Sequence, residues 1–275
     1  MRAARSLFLA LAVPAALTAC KPQQQGATPA PAATAPPAIT APGPAAPAAE
    51  LKDEVESTPA YVIGISYPDL ARRYPGLGEQ VAAYAAAAKQ ELMAAVAALG
   101  GAKPSAPYEL SLEFDAVVDT PQVATVAANG TRYTGGAHGE PLVERFTWLP
   151  QQHKALTTQT LLPAPGAWDA ISSYVREQLY TQASVRADND NVPPEQREAV
   201  LKNVERMIDD GTTPKPENFG RFEPVMDANG RIAAIRFVFP PYQVASYADG
   251  TRTVDVPAAL LKPYLTPEYA GLFAL

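Results

Sequence analysis

The chain has 275 residues, 22 Lys and Arg against 28 Asp and Glu, and a formal net charge of −6. That acidic balance argues against a nucleic-acid partner and against a basic membrane-binding patch. A single cysteine excludes a disulfide framework and a cysteine-based zinc site, so any folded part must stand on a hydrophobic core.

The chain opens with Arg2 and Arg5, an apolar run from Leu7 to Leu17, and then Leu17-Thr18-Ala19-Cys20. A charged start, a short apolar stretch and small residues before a cut site make a secretory signal at residues 1–19. The run is too short to span a bilayer. The segment resembles a bacterial lipoprotein lipobox, with Cys20 as the lipid-bearing first residue after cleavage. That resemblance implies an anchor in the membrane, and Lys21 in place of an aspartate implies the outer membrane, on its periplasmic side. Loss of the two arginines leaves 20 basic and 28 acidic residues, a net charge of −8.

Residues 20–57 read as a tether. From Pro22 to Ala49 the chain is mostly Ala and Pro with almost no large apolar side chain, too little to offset the entropy of ordering. Such a stretch favours polyproline II and could reach roughly 80–90 Å. The folded part is expected to start between Thr58 and Tyr61.

Tyr61, Ile63, Ile65 and Tyr67 alternate as a strand stopped by Pro68. Residues 78–99 carry Val81, Tyr84, Ala88, Leu92, Ala95 and Leu99 at helical spacing, ended by Gly100-Gly101. Tyr108 to Ala116 alternates strictly and predicts a strand with one wet face. Gln122–Ala128 and Thr131–Thr134, around Asn129-Gly130, predict a hairpin with a type I′ turn. Leu142–Leu149 and a short segment around Leu156 are further strands. Trp168, Ile171, Val175 and Leu179 form a helical stripe. Pro193-Pro194 opens a helix with Val200 or Leu201, Val204 and Ile208 inward, closed by Gly211. Phe222–Met226 and Ile232–Phe239 flank a turn at Asp227–Gly230, with Phe237 and Phe239 in the core. Val254–Val256 is a short strand, and a short helix starts near Pro257. Strands bunch instead of alternating with helices, which predicts an α+β fold of antiparallel sheets packed with helices. Two subdomains are expected, 58–155 and 156–275.

Chemistry-bearing residues are sparse. Only His138 and His153 are present, without zinc spacing, so a metal hydrolase would need carboxylates such as Asp115 or Glu140. No Gly-x-Ser-x-Gly elbow occurs. Asp209-Asp210 reads as a solvated helix end. No metal or cofactor is expected, and catalysis is not. Gly135-Gly136 beside His138-Gly139 suits a sharp turn or close approach to a partner, and Tyr133, Tyr242 and Tyr247 could line a groove. Each has a plain alternative, turn geometry or core packing.

Two segments, Tyr133-Thr134-Gly135-Gly136-Ala137-His138-Gly139 and Phe239-Pro240-Pro241-Tyr242-Gln243-Val244-Ala245-Ser246-Tyr247-Ala248-Asp249-Gly250 with Val254–Pro257, together resemble the paired domains of unknown function in the ectodomain of RsiV-type anti-sigma factors. The same pair is found beside the catalytic domain of some peptidoglycan deacetylases. The resemblance implies an α+β fold over residues 58–270 and an extracytoplasmic role near peptidoglycan; Tyr133, Gly135, Gly136, His138, Tyr242 and Tyr247 are the candidate binding residues within or beside its motifs. In the RsiV type the ectodomain binds lysozyme. This chain shows neither a sigma-binding segment, a transmembrane helix nor a deacetylase domain. The expected function is therefore non-catalytic binding of a peptidoglycan fragment or a lysozyme-like protein. A cell-wall polymer hydrolase and a structural lipoprotein of an envelope assembly are the alternatives.

Overall fold

The computed structural model describes residues 51–190 and 192–274. Cys20, the signal segment and the tether from 22 to 49 lie outside them. The described residues all belong to one compact unit, and no helix among them is long and apolar enough to cross a membrane.

Structure begins before the expected start at residue 58. Leu51 is buried, and β1 (Glu54–Ser57) pairs antiparallel with β2 (Tyr61–Ser66). The Pro/Ala composition gave no sign of this, because a distant lysine holds the strand. Lys89 Nζ reaches Glu54 and Glu56 at 2.6 and 2.9 Å. These two hydrogen bonds hold the Lys89 ammonium above its ordinary pKa.

After Pro68, α1 (Asp69–Arg73) and α2 (Pro75–Ala98) carry the chain across the sheet to β3 (Tyr108–Asp119). β3 pairs with β2 in parallel, Tyr61 opposite Tyr108. The sheet is thus mixed, not wholly antiparallel as expected, because the long α2 supplies the crossover that parallel pairing needs. α2 buries Val81, Ala85, Ala88 and Leu92 on that sheet. Small alanines let it approach closely, while Tyr84 packs edge-on to Phe114 and Phe146. Strict alternation in β3 breaks at a bulge between Ala116 and Val118, which leaves Ala116 exposed and turns Val118 inward.

β4 (Ala124–Tyr133) runs straight through Asn129-Gly130, so the expected hairpin there does not exist. Ala124 to Ala128 are buried on both faces, as in a central strand. Thr125 meets Thr147 of β5 (Glu140–Leu149) across the ladder, hydroxyl to hydroxyl at 3.2 Å. Gly130 answers to packing: a Cβ there would overlap the Ser111 carbonyl oxygen and sit 2.9 Å from Leu112 Cα. The turn between β4 and β5 falls instead at Thr134–Gly139. β6 (Lys154–Ala155) completes the order β1-β2-β3-β4-β5-β6.

The C-terminal part follows the expected plan. After α3 (Thr158–Leu161), α4 (Gly166–Asn189) buries Trp168, Ile171, Val175 and Leu179. α5 (Pro194–Gly211) buries Ile208, with Val204 half-buried and Val200 exposed. β7 (Phe222–Met226), β8 (Ile232–Phe239) and β9 (Arg252–Pro257) form a second, antiparallel sheet. α6 (Ala258–Leu261) and α7 (Pro267–Ala270) close the chain, and Phe273 returns to the core at Ile232. The expected division at 155 falls on β6. The second core nevertheless takes Val118, Val123 and Leu149 from the far end of the first sheet.

An ion-pair cluster joins the two sheets. Arg145 of β5 donates from Nε to Glu223 of β7 at 2.9 Å, with side chains only 9% and 11% exposed. The Arg145 Nη1 also donates to the carbonyls of Glu144 and Ala128. Arg236 pairs with Glu223 at 3.5 Å and with both Asp255 oxygens.

Candidate functional site

The two segments that carry the sequence resemblance, 104 positions apart, meet at one surface. The first is the turn between β4 and β5. Gly135 and Gly136 take φ of 102° and 97°, values closed to side-chain-bearing residues. Tyr133 Oη donates to the Gly136 carbonyl at 3.2 Å and braces the turn. Arg132, at its base, holds Glu91 and Glu140.

The second segment follows β8. Phe239, Val244 and Ala245 are buried beneath it. Gln243 Nε2 donates to the carbonyls of Gly211 and Asn218 at 3.0 and 2.8 Å. Pinned from below, the loop turns Tyr242 and Tyr247 outward. Tyr242 has φ 74° and is 53% exposed. For a bulky residue this left-handed backbone costs roughly 1–2 kcal/mol, and such strain persists only where its surroundings hold it. Here the holders are a backbone bond from Tyr242 N to the Ala245 carbonyl at 2.9 Å and the contact to His138.

His138 lies between the tyrosines. Its ring stacks on Tyr247 with centroids 4.0 Å apart and planes 16° from parallel. Nδ1 lies 3.2 Å from the Gly139 carbonyl and Nε2 lies 2.8 Å from Tyr242 Oη. A carbonyl can only accept, so Nδ1 carries a proton, and in the neutral ring Nε2 then accepts from the Tyr242 hydroxyl. Beside this stack, Thr134, Gly135, His138, Pro141 and Tyr242 line an open hollow of about 310 Å³. Arg132 and Glu140 line it as well. Sequence reading named Glu140 only as a possible metal ligand and missed Arg132, since nothing in their spacing announces that they pair.

All six residues expected at the binding face, Tyr133, Gly135, Gly136, His138, Tyr242 and Tyr247, thus come together. Of the other candidates, Glu140 lines the same hollow, and His153, Asp115 and Asp209 lie elsewhere. His153 follows a 3-10 turn at Pro150–Gln152 and is exposed. Asp115 is exposed on β3. Asp209 accepts from Tyr180 Oη at 2.6 Å. Burial first, and that hydrogen bond second, push the Tyr180 hydroxyl up to about 12. Among the described residues, no three His, Cys, Asp or Glu side chains gather as a metal site requires.

Asp249 fastens the end of the loop. It accepts from Ser246 N at 3.0 Å and Ser246 Oγ at 2.5 Å, beside Arg186 and Arg252. Burial alone would raise its pKa, but the Ser246 bonds and the two arginines together hold the carboxyl below its ordinary value. A depressed folded-state pKa contributes stability above the unfolded value, about 3.9, and loses it as pH falls through the folded value. Wild type should therefore exceed Asp249→Asn in thermal midpoint at neutral pH, and the gap should close as the pH is lowered past that range. A gap that does not narrow as the pH falls below the ordinary carboxylate range would show that the carboxylate charge does not fasten the loop.

Residues 162–259 match DUF3298, a protein family of unknown function. The chain is 26% identical over 162 residues to the peptidoglycan-N-acetylmuramic acid deacetylase PdaC of Bacillus subtilis (strain 168), a stretch of 58% of this chain and 30% of that protein. The chain therefore spans about a third of the length of that relative. A crystal structure of a DUF3298 family protein from Pseudomonas aeruginosa PAO1 shares the fold, with TM-score 0.52, 17% identity, 81% of this chain and 93% of that one covered. A member of the same family from Bacteroides fragilis NCTC 9343 aligns with TM-score 0.48 at 15% identity, over 80% and 94% of the two chains. The stretch that matches DUF3298 contains Tyr242 and Tyr247, and that match agrees with the resemblance to the paired domains of unknown function.

Proposed function

We propose that this protein is a lipid-anchored component of the cell envelope that binds a peptidoglycan fragment without cleaving it. The observation that carries this reading is the His138–Tyr242–Tyr247 stack beside an open hollow. Aromatic faces and an amide-rich glycine turn suit a sugar ring and its acetamido group. The hollow has one lining carboxylate, Glu140, and Arg132 engages it, whereas carboxylate-driven glycoside hydrolysis uses two. Relatedness to part of a peptidoglycan deacetylase supports the cell-wall context.

A lysozyme-like protein is the second reading, favoured by the acidic balance of the chain. Titration calorimetry of the unlipidated chain with soluble peptidoglycan fragments and with lysozyme, at low and moderate salt, separates the two. Fragment binding should change little with salt, since stacking and hydrogen bonds carry it. Lysozyme binding should weaken as salt screens the encounter. Silence toward both would remove the binding function, and release of new reducing ends or free stem peptides would replace it with an enzyme.

The anchor is Cys20, at the outer membrane on the periplasmic side. Three acyl chains there would hold far more firmly than the single chain that gives only marginal binding, at about 0.8 kcal/mol per buried CH₂. Labelled palmitate should enter the wild type and not Cys20→Ser; equal labelling of both contradicts the anchor.

A further inference from the structure

The loop that presents Tyr242 and Tyr247 has a second face. Val244 and Ala245 turn away from His138 and, with α4 and α5, wall a cavity of about 160 Å³. Leu179, Ala183, Leu201 and Val204 supply much of the remaining lining, all apolar. Gln182, Arg186, Asp190, Asp249 and Arg252 make its polar edge. The size is close to the roughly 150 Å³ of an apolar protein cavity that holds benzene, so about six carbons fit.

The charges at the edge are not equivalent toward a ligand. The Asp249 carboxylate already accepts from Ser246 N and Oγ, and Arg186 Nη1 lies 3.0 Å and Arg252 Nη2 3.5 Å from it. Its lone pairs are spoken for, and its side chain is 18% exposed. Asp190, which also lines the cavity, accepts from Arg186 Nε at 3.1 Å. A guanidinium carries five N–H donors, and the carboxylates occupy only part of each set. Both carboxylates are engaged by the two arginines, so what the edge offers a newcomer is the remaining guanidinium N–H donors. An apolar chamber with donors at its edge is the usual form of a site for a small amphiphile.

We propose that the chamber between α4, α5 and the 244–252 loop binds a short-chain carboxylate, its alkyl tail inside and its carboxylate on Arg252 and Arg186. The site is separate from the aromatic surface and stands whether or not that surface binds cell wall. A peptide C-terminus presents the same head group; Gln182, the one amide side chain in the lining, already gives its Nε2 to the Thr253 carbonyl at 3.1 Å, and N-acetyl-leucine tests whether it takes a peptide amide.

Calorimetry of the whole purified chain with butanoate, pentanoate and hexanoate tests it, beside hexan-1-ol, hexylamine and N-acetyl-leucine. Affinity should rise about three- to fourfold with each added CH₂. Hexylamine should bind more weakly than hexanoate. Arg252→Ala should weaken hexanoate about tenfold, the size of one charge-assisted contact, and leave hexan-1-ol unchanged. Val204→Trp and, independently, Ala183→Leu should fill the chamber and abolish binding of both. No saturable hexanoate binding, no dependence on chain length, or wild-type affinity in both filled variants would overturn the proposal. So would binding of N-acetyl-leucine without hexanoate, which would assign the site to a peptide terminus.

Discussion

Replacing Glu223 by Ala should cost about 3–5 kcal/mol of unfolding free energy, the penalty for leaving a buried charge without its partner. The Arg145 guanidinium, 9% exposed, sits between the two sheets and has Glu223 as its carboxylate. Its other acceptors are the Glu144 and Ala128 carbonyls and Asn129 Oδ1, which disperse charge less well than a carboxylate. Arg236 loses less, because Asp255 holds it through two bonds of 2.7 and 2.9 Å. Removing both partners together, Arg145→Met with Glu223→Leu, should recover much of the loss, since an apolar pair owes no desolvation penalty. Denaturant unfolding of Glu223→Ala and of the double variant checks this. A loss under about 1 kcal/mol in Glu223→Ala, the worth of an exposed pair, would mean that solvent reaches the junction.

Gly130→Ala should be the second severe change, at about 2–3 kcal/mol, the upper part of the range for overpacking. The new methyl would meet the Ser111 carbonyl and Leu112 Cα, both backbone atoms of the neighbouring strand. Backbone cannot swing aside as a side-chain tip can, so β3 and β4 must part locally. Asn129→Ala, one residue away and exposed, should cost under about 1 kcal/mol, that of a partly solvated hydrogen bond. Equal costs at the two positions would contradict the tight strand approach.

That glycine also shows where sequence reading stopped. Asn-Gly between apolar runs is a strong hairpin signal because both residues tolerate positive φ. In this chain the glycine serves close strand packing instead, a requirement set by Ser111, which no local pattern reveals. The parallel pairing of β2 and β3 escaped for a similar reason: alternation within each strand marks its faces and says nothing of its neighbour. Residues 54–57 gave no strand signal since Val55 is 87% exposed and the strand is held by Lys89. By contrast, period-two alternation from Tyr108 to Phe114 and the Trp168 stripe needed no distant information, and both elements formed, β3 departing from the reading only at its bulge, where Ala116 is exposed. The candidate site was legible in its parts. Its assembly was not, because a contact between His138 and Tyr242 spans 104 positions and depends on how two sheets meet.

The central claim is that the tyrosine–histidine stack is a binding face and not only turn packing. The most direct test is titration of a soluble peptidoglycan fragment against wild type and Tyr242→Ala, with thermal unfolding of each as the control. Loss of one aromatic stacking face, about 0.5–1.5 kcal/mol, should weaken binding roughly two- to twelvefold while the variant stays folded. Fragment affinity unchanged in a folded Tyr242→Ala chain would contradict the account.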